Sequence, residues 1–552
     1  MKKSVLFILG FILLQLHMVN LGAQGKEKGL DAITKASVEA QLSFLSSDWM
    51  EGRYTGTKGE YMSGDYIASM FKLYGLKPGG DEVSAFQGRG RRQVAVQRGR
   101  TYFQTIPFIE STMGDGMEMA IINESKDGSD RNIFNYRTDF MVSGAEVSTE
   151  KTVPVVFVGY GLVADSLGYN DYKGVDVKGK IVLRMAGYPG RIDSNSLAFK
   201  RFRPGNRMAE YRLRAAKNYS AMEAGAIGVI EVVPGADPSK DWASNVPFRY
   251  NSTFYEGEKN PNQRKSLRIM TDSLGRSVIN ITLSLRAVNT LLSGTGINLG
   301  QVESRIAQTQ KPESKILAGK KLYVKTSVES RIIAGRNVVG VLEGEDLNDI
   351  IVVGGHYDHL GMLDGFIFNG ADDNASGTVG VMEIAKAFIA SGVKPKKTIV
   401  FAAWTGEEEG LWGSKYFVDH PYRPLSNIVM NLNFDMISRD EDDDTQKNKC
   451  TMTYTKAYGS LKEIAQNNFG EFKLNLQIHY NDPEKPSGGS DFAPFAAKNI
   501  PIIYWEAAMH KDYHTPFDSF EKTNTEKMTN IIKMGYLTVW DIANQDGMLM
   551  KK

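Results

Sequence analysis

Apolar residues recur along this chain with two different periods. Near the amino-terminal side, Val38, Leu42 and Leu45 fall at helical spacing, and so do Tyr66, Ile67, Met70, Phe71 and Tyr74. Recurrence at i, i+3 and i+4 marks an amphipathic helix. The spacing predicts two helices within residues 36 to 75, the second ended by Gly75. Between them, Glu51-Gly52-Arg53-Tyr54-Thr55-Gly56-Thr57 reads as a glycine-rich turn.

From Val153 the texture changes to short apolar runs. Val153 to Val158 is a strand ending at Gly159-Tyr160-Gly161, and Lys180 to Leu183 is another. Residues 209 to 224 carry a helical period, and Gly225 to Ile230 reads as turn and strand. Residues 234 to 275 are rich in Pro, Asn, Ser and Lys and read as long loops. Residues 141 to 320 therefore form a separate module of mixed strands and one helix.

From Asn337 the two periods alternate regularly. Strands are predicted over 337–342, 350–354, 398–403, 428–435 and 502–504, with helices over 375–391 and near 410–418. Apolar strands alternating with helices indicate an α/β sheet with helices on both faces.

Composition adds bounds. A chain of 552 residues exceeds one ordinary core, so two or more domains follow. With 42% hydrophobic and 24% charged residues it is a globular chain, and a net charge of +2 gives no general reason to expect nucleic acid. The arginines between 88 and 100 (Arg89, Arg91, Arg92, Arg98, Arg100) read as a solvated loop. Cys450 is the one cysteine, so neither an internal disulfide nor a thiolate zinc site is open to the chain. Lys2 and Lys3 precede an apolar run from Val5 to Leu16, followed by Leu21-Gly22-Ala23. That is the plan of a secretory signal peptide over 1–23, and the expectation is export to a periplasmic or external space without stable membrane insertion.

The chemistry gathers at strand ends, where ligands collect in open α/β sheets. His356-Tyr357-Asp358-His359, Gly406-Glu407-Glu408-Glu409 and Asp435 each follow a strand; Tyr513-His514-Thr515-Pro516 follows another through a loop, and Gly370-Ala371-Asp372-Asp373-Asn374 opens a helix. Imidazole and carboxylate without thiolate suit zinc. Two histidines and three acids exceed one catalytic zinc site with three protein ligands. They suit a pair of metals roughly 3.5–4 Å apart that share a carboxylate.

These motifs resemble the zinc peptidase family that includes bacterial leucyl aminopeptidases, plasma glutamate carboxypeptidase and the transferrin receptor ectodomain. The resemblance covers Gly52-Arg53 to about residue 80 and then residues 330 to 540. It implies a mixed, mostly parallel sheet flanked by helices over 24–140 and 321–552. Residues 141 to 320 resemble the α+β protease-associated domain that some members carry as an insertion. Carried over residue by residue, the resemblance implies His356 and Asp435 on one zinc, Glu408 and His514 on the other, and Asp372 bridging them. Asp358 would orient His356, and Glu407 would be the general base. Tyr513, Ser490 and Asp491 would face substrate. A cis peptide bond is implied between Asp372 and Asp373. Ser490-Asp491-Phe492 departs from the Ser-Asp-His of many relatives, which puts in doubt a substrate role for a histidine there.

The implied activity is hydrolysis of peptides by an aminopeptidase. Three alternatives stay open: a carboxypeptidase, which cations in the pocket would favour; a receptor-like member, which missing ligands would signal; and a one-zinc glutaminyl-cyclase-like member. Each motif also has a plainer reading. Acids at 407–409 and 372–373 suit helix starts by themselves. His420, His479 and His510 read as structural or exposed, and His359 as packing beside the site.

Overall fold

The computed structural model describes residues 23–547 and 549, apart from 88–93, 234–264, 271–277 and positions 115, 127, 137, 206, 364 and 442. The apolar run of the expected signal peptide, half of the arginine-rich stretch and most of the 234–275 loops lie outside the described residues. Among the described residues, no helix is long and apolar enough to cross a membrane.

Backbone contacts divide the chain into two units, residues 1–108 with 333–552, and residues 109–332. The second is wider than the 141–320 read from sequence. The strands Phe103–Met113 and Val328–Leu342 each run unbroken through a boundary, so no glycine- or proline-rich linker marks it.

In the first unit a mixed sheet carries its strands in the order 103–113, 328–342, 397–404, 346–356, 428–434, 502–506, 449–454 and 477–481. The four at its centre, from 397–404 to 502–506, are mutually parallel. Parallel strands are buried on both faces and read as continuous apolar runs. Ile350-Ile351-Val352-Val353 shows why. Ile351 and Val353 join one core with Leu42, Phe71, Ile384, Phe388 and Trp540, under the helices Lys35–Leu45, Lys58–Tyr74, Gly377–Ser391 and Thr525–Asn544. Ile350 and Val352 join the opposite core with Trp404, Phe417 and Phe495, under the shorter helices Trp412–Asp419 and Phe492–Ala497. Thr34 caps the first helix by accepting the Ser37 N–H, and Gly75 ends the second in the left-handed region at φ +93°.

In the second unit, strands 149–158, 181–185, 228–232 and 279–283 are parallel, with antiparallel strands on either side. Val155 and Phe157 face a core that also holds Phe140, Leu183, Leu291 and Ile306, while Val156 and Val158 face one with Val182, Ala221 and Val229. The helix read at 209–224 spans Arg207–Glu223. Helices Leu197–Phe202, Leu285–Leu292 and Leu299–Thr309 accompany it, so this unit is richer in helix than the expected strands and one helix. The arginine-rich stretch is also not a plain loop: Val94–Arg100 is a strand paired with Glu82–Gln87.

Candidate metal centre

The register of the parallel strands aligns their carboxyl ends. His356 is opposite Trp404, Gly354 opposite Asn433, and Phe434 opposite Trp505. The residues that follow these positions meet at one edge. Gly377 brings the loop 370–376 against that edge, because a Cβ there would stand 2.5 Å from the carbonyl oxygen of Phe434. Asn374 fastens the same loop, donating to Phe434 O and accepting from Gly377 N and Met436 N.

His356, Asp373, Glu408, Asp435 and His514 converge there, with Glu407 and His359 beside them. His356 Nε2 stands 3.4 Å from Asp435 Oδ1 and 3.4 Å from Asp373 Oδ1. His514 Nε2 stands 3.1 Å from Asp373 Oδ2 and 3.1 Å from Glu408 Oε2. Asp373 thus turns one oxygen to each histidine. Glu407 Oε2 approaches His356 Nε2 at 3.9 Å. Among the described residues, two groups have ligand atoms within 4.8 Å of one another: His356, Glu407 and Asp435, and His359, Asp373 and Glu408.

The structure corrects the sequence reading at Asp372. Its Oδ1 accepts from the backbone N–H and the hydroxyl of Ser438, and its Oδ2 lies 3.3 Å from His510 Nε2. Asp373 has near-extended backbone angles, φ −104° and ψ 95°. Successive side chains of extended backbone point to opposite sides, so only one of the two acids enters the cluster. The cis bond is likewise one residue later than expected, between Asp373 and Asn374.

Asp358 does not meet His356 chiefly through its carboxylate. The ring Nδ1 is 3.1 Å from the backbone oxygen of Asp358 and 3.8 Å from its Oδ1. The carboxylate instead accepts from the Glu407 N–H and the Thr55 hydroxyl, so it holds the start of the Glu407-Glu408 turn. Ser490 and Asp491 are fully buried, and Ser490 Oγ donates to Asp435 Oδ2 at 2.6 Å. Tyr513 is partly exposed and stacks on His514 with ring centroids 3.8 Å apart.

His359, read as packing beside the site, and His510, read as structural or exposed, both stand close to the centre. His359 is fully buried, with Nδ1 2.7 Å from Glu408 Oε1, and His510 faces Asp372. The histidines at the fourth position of His-Tyr-Asp-His-Leu and the second of Met-His-Lys carry no spacing signal of their own; only the proximity of His359 to His356 in sequence hints at its place.

So many carboxylates in one buried place perturb one another. Burial pushes Glu407 well above the usual carboxylate range, and the charge of Glu408 adds to the push, although His356 opposes it. Burial acts the same way on Glu408, but hydrogen bonding and charge from His359 and His514 hold it well below that range. Burial disfavours a charged His356, and the carboxylates of Asp435 and Glu407 outweigh it and raise the ring. Burial raises Asp358 to about 8 and Asp491 to about 7.

The donor set fits metal. Asp435 Oδ1 is buried with no hydrogen-bond partner among the described residues, an arrangement that costs free energy unless something else satisfies it. Ligand atoms about 2.0–2.1 Å from a tetrahedral zinc stand roughly 3.4 Å apart, close to the separations here. The only cysteine, Cys450, is buried in the core and takes no part.

Comparison with known proteins agrees with this picture. Residues 337–538 match Peptidase family M28. Leucine aminopeptidase 2 of Arthroderma otae is 30% identical over 226 residues, covering 38% of this chain and 42% of that protein. A glutamate carboxypeptidase 2 homolog of Caenorhabditis briggsae is 25% identical over 446 residues, covering 68% of this chain and 53% of that protein. The chain therefore spans about half the length of the curated relatives it matches or less. Among solved structures, an aminopeptidase from Aneurinibacillus sp. strain AM-1 superposes with a TM-score of 0.53 at 18% identity, over 96% of this chain and 98% of that one. The segment that carries the site, residues 337–538, has the M28 peptidase fold.

Proposed function

We propose that the protein is a zinc-dependent exopeptidase that removes amino-terminal residues from peptides. The observation that carries this is Asp373, whose two oxygens face His356 on one side and His514 on the other. That is the arrangement of a carboxylate shared by two metals. In this reading His356 and Asp435 would hold one zinc, Glu408 and His514 the second, and Asp373 would serve both.

Bound zinc supplies Lewis acidity toward a carbonyl oxygen and lowers the pKa of water. Glu407 takes a proton from the attacking water at its carboxylate and hands it to the leaving amine. Its buried position, which raises its affinity for a proton, suits that exchange. Asp358 positions Glu407 through the backbone N–H. Ser490 steadies Asp435.

An aminopeptidase is favoured over a carboxypeptidase by the surroundings. A substrate carboxylate needs a free cation. Among the described residues of this unit, the two buried arginines are committed elsewhere, Arg53 to backbone carbonyls and Arg439 to Asp512 and Asp518. Residues 109–332 are proposed as an accessory module of the protease-associated type, on the strength of their insertion between two parts of the peptidase unit. The lysines and apolar run at the amino terminus support export. The deciding experiment pairs zinc analysis with kinetics on matched free and N-acetylated dipeptides. Two zincs and a strong preference for the free peptide are expected; preference for the blocked peptide reverses the choice of aminopeptidase.

A further inference from the structure

The segment matched to the peptidase family begins at residue 337, yet the centre is tied together by a residue nearly three hundred positions earlier. Glu51, Gly52 and Arg53 are three successive residues with positive φ, 48°, 67° and 53°. Two of them are not glycine, and such backbone is held only where the surroundings over-determine it. The surroundings are visible. A Cβ on Gly52 would stand 2.4 Å from Gly361 O and 2.6 Å from Phe368 O. The carbonyl oxygen of Arg53 accepts the His359 N–H.

The turn delivers the Arg53 side chain into the interior, fully buried. Its Nε donates to Tyr357 O at 2.7 Å, between His356 and Asp358. Its Nη1 donates to Asn369 O and to Leu45 O, each at 2.7 Å. Its Nη2 donates to Gly370 O at 2.9 Å. All four acceptors are backbone carbonyls, from the end of a helix and from the two loops that carry His356 and Asp373. A planar fork with several fixed donors can hold such acceptors at set spacing, and a lysine ammonium cannot. Burial lowers the guanidinium to about 10, and nearby Asp358 and Asp373 oppose that, so it stays charged at neutral pH.

We propose that Arg53 is a positioning residue of the metal centre, whose guanidinium fork fixes the 356–359 loop against the 369–373 loop. Its positive charge is a by-product of the fork and works against metal. The inference rests on the two-metal reading above and extends the site beyond residues 337–538. Two physical effects of removing Arg53 have opposite signs. If its charge governs, loss of a cation near Asp373 and Glu408 makes metal bind more tightly. If its geometry governs, the ligands drift and metal binds more weakly.

The test uses the full chain, with Arg53→Lys and Arg53→Met beside the unsubstituted protein. Zinc affinity of each metal-free protein is measured by competition with a chromophoric chelator, circular dichroism reports folding, and kcat and KM are measured on a free dipeptide. The unsubstituted protein tests the two-metal reading by itself: fewer than two zincs or no peptidase activity there ends that reading whatever the variants do. Relative to it, both variants are expected to fold and to lose about 10–100-fold in zinc affinity, the range usual for residues that orient ligands. The loss of turnover should fall mainly on kcat, and lysine should not rescue. Zinc affinity of Arg53→Met equal to or above that of the unsubstituted protein overturns the proposal. So does normal behaviour of Arg53→Lys, which would make charge the agent. Failure of Arg53→Lys to fold also overturns it, by making Arg53 a requirement of the fold rather than of the site.

Discussion

Oδ2 of Asp373 lies 3.1 Å from Nε2 of His514. The other oxygen of the same carboxylate is 3.4 Å from His356 Nε2, so this one side chain touches both halves of the centre. Removing it should therefore affect both metals. Asp373→Ala is expected to bring zinc from two per chain to one or fewer and to abolish peptidase activity. Asp372→Ala removes two hydrogen bonds to Ser438, at a cost of about 1–3 kcal/mol in stability, while keeping both zincs. Elemental analysis and calorimetry on the two variants separate these effects. A zinc-free Asp372→Ala beside a fully loaded Asp373→Ala would return the bridging role to Asp372.

The adjacent acids of the next loop should part in the same way. Glu408 Oε2 faces His514, whereas Glu407 Oε2 faces His356 from 3.9 Å. Glu408→Ala is expected to lower zinc content. Glu407→Gln keeps size and loses basicity, so it should hold two zincs while kcat falls by ~10²–10⁴-fold, with KM little changed. Full activity in Glu407→Gln would remove the general-base role, and zinc loss there with zinc retention in Glu408→Ala would exchange the two roles.

The sheet and its two helical layers are legible because burial on both faces leaves continuous apolar runs such as Ile350 to Val353. The site is legible in outline because polar residues that end such runs have few other reasons to be there. Which of two neighbouring acids turns inward is a matter of backbone angles near Asn374, and a string of letters contains no such information. The division between 108 and 109 leaves no mark in the sequence because the strand Phe103–Met113 keeps its apolar residues across it. Arg53 looked like part of a turn. Its four carbonyl partners lie up to 317 positions away, and backbone acceptors leave no mark on side-chain identity. The contact of His359 with Glu408 leaves no mark in the sequence for a related reason, since it is set by the loop that follows the strand.

Ser490 offers a test of support against substrate contact. It is buried, donates to Asp435 Oδ2 and accepts from Asn433 Nδ2 at 2.8 Å. Ser490→Ala should weaken zinc binding by about 10–100-fold, as loss of a ligand's hydrogen-bond partner does. At saturating zinc, KM should be unchanged. Chelator competition and steady-state kinetics in excess zinc give both readings. A raised KM with unaltered zinc affinity would place Ser490 against substrate, as the sequence suggested.

The second unit has a titrating group of its own. Asp171 is fully buried, and its carboxylate accepts from the N–H groups of Tyr160 and Leu162 and from the Tyr169 hydroxyl. Burial raises it to about 7, against the pull of those hydrogen bonds. In an unfolded chain the same group titrates near 3.9. Between about pH 4 and pH 7 the folded protein therefore holds a proton that the unfolded chain has released. Stability rises with pH only where the unfolded state binds more protons, so this group's contribution falls as pH rises. It is fully present below about pH 4 and gone above about pH 8. Asp171→Asn removes the titration and keeps the shape. The stability of the unsubstituted protein relative to Asp171→Asn should fall by roughly 2–3 kcal/mol from pH 5 to pH 8. Denaturant unfolding of both proteins at several pH values across that interval measures the difference directly. A difference that stays level, or that grows in favour of the unsubstituted protein with rising pH, would show that the hydrogen bonds from Tyr160, Leu162 and Tyr169 prevail over burial at Asp171.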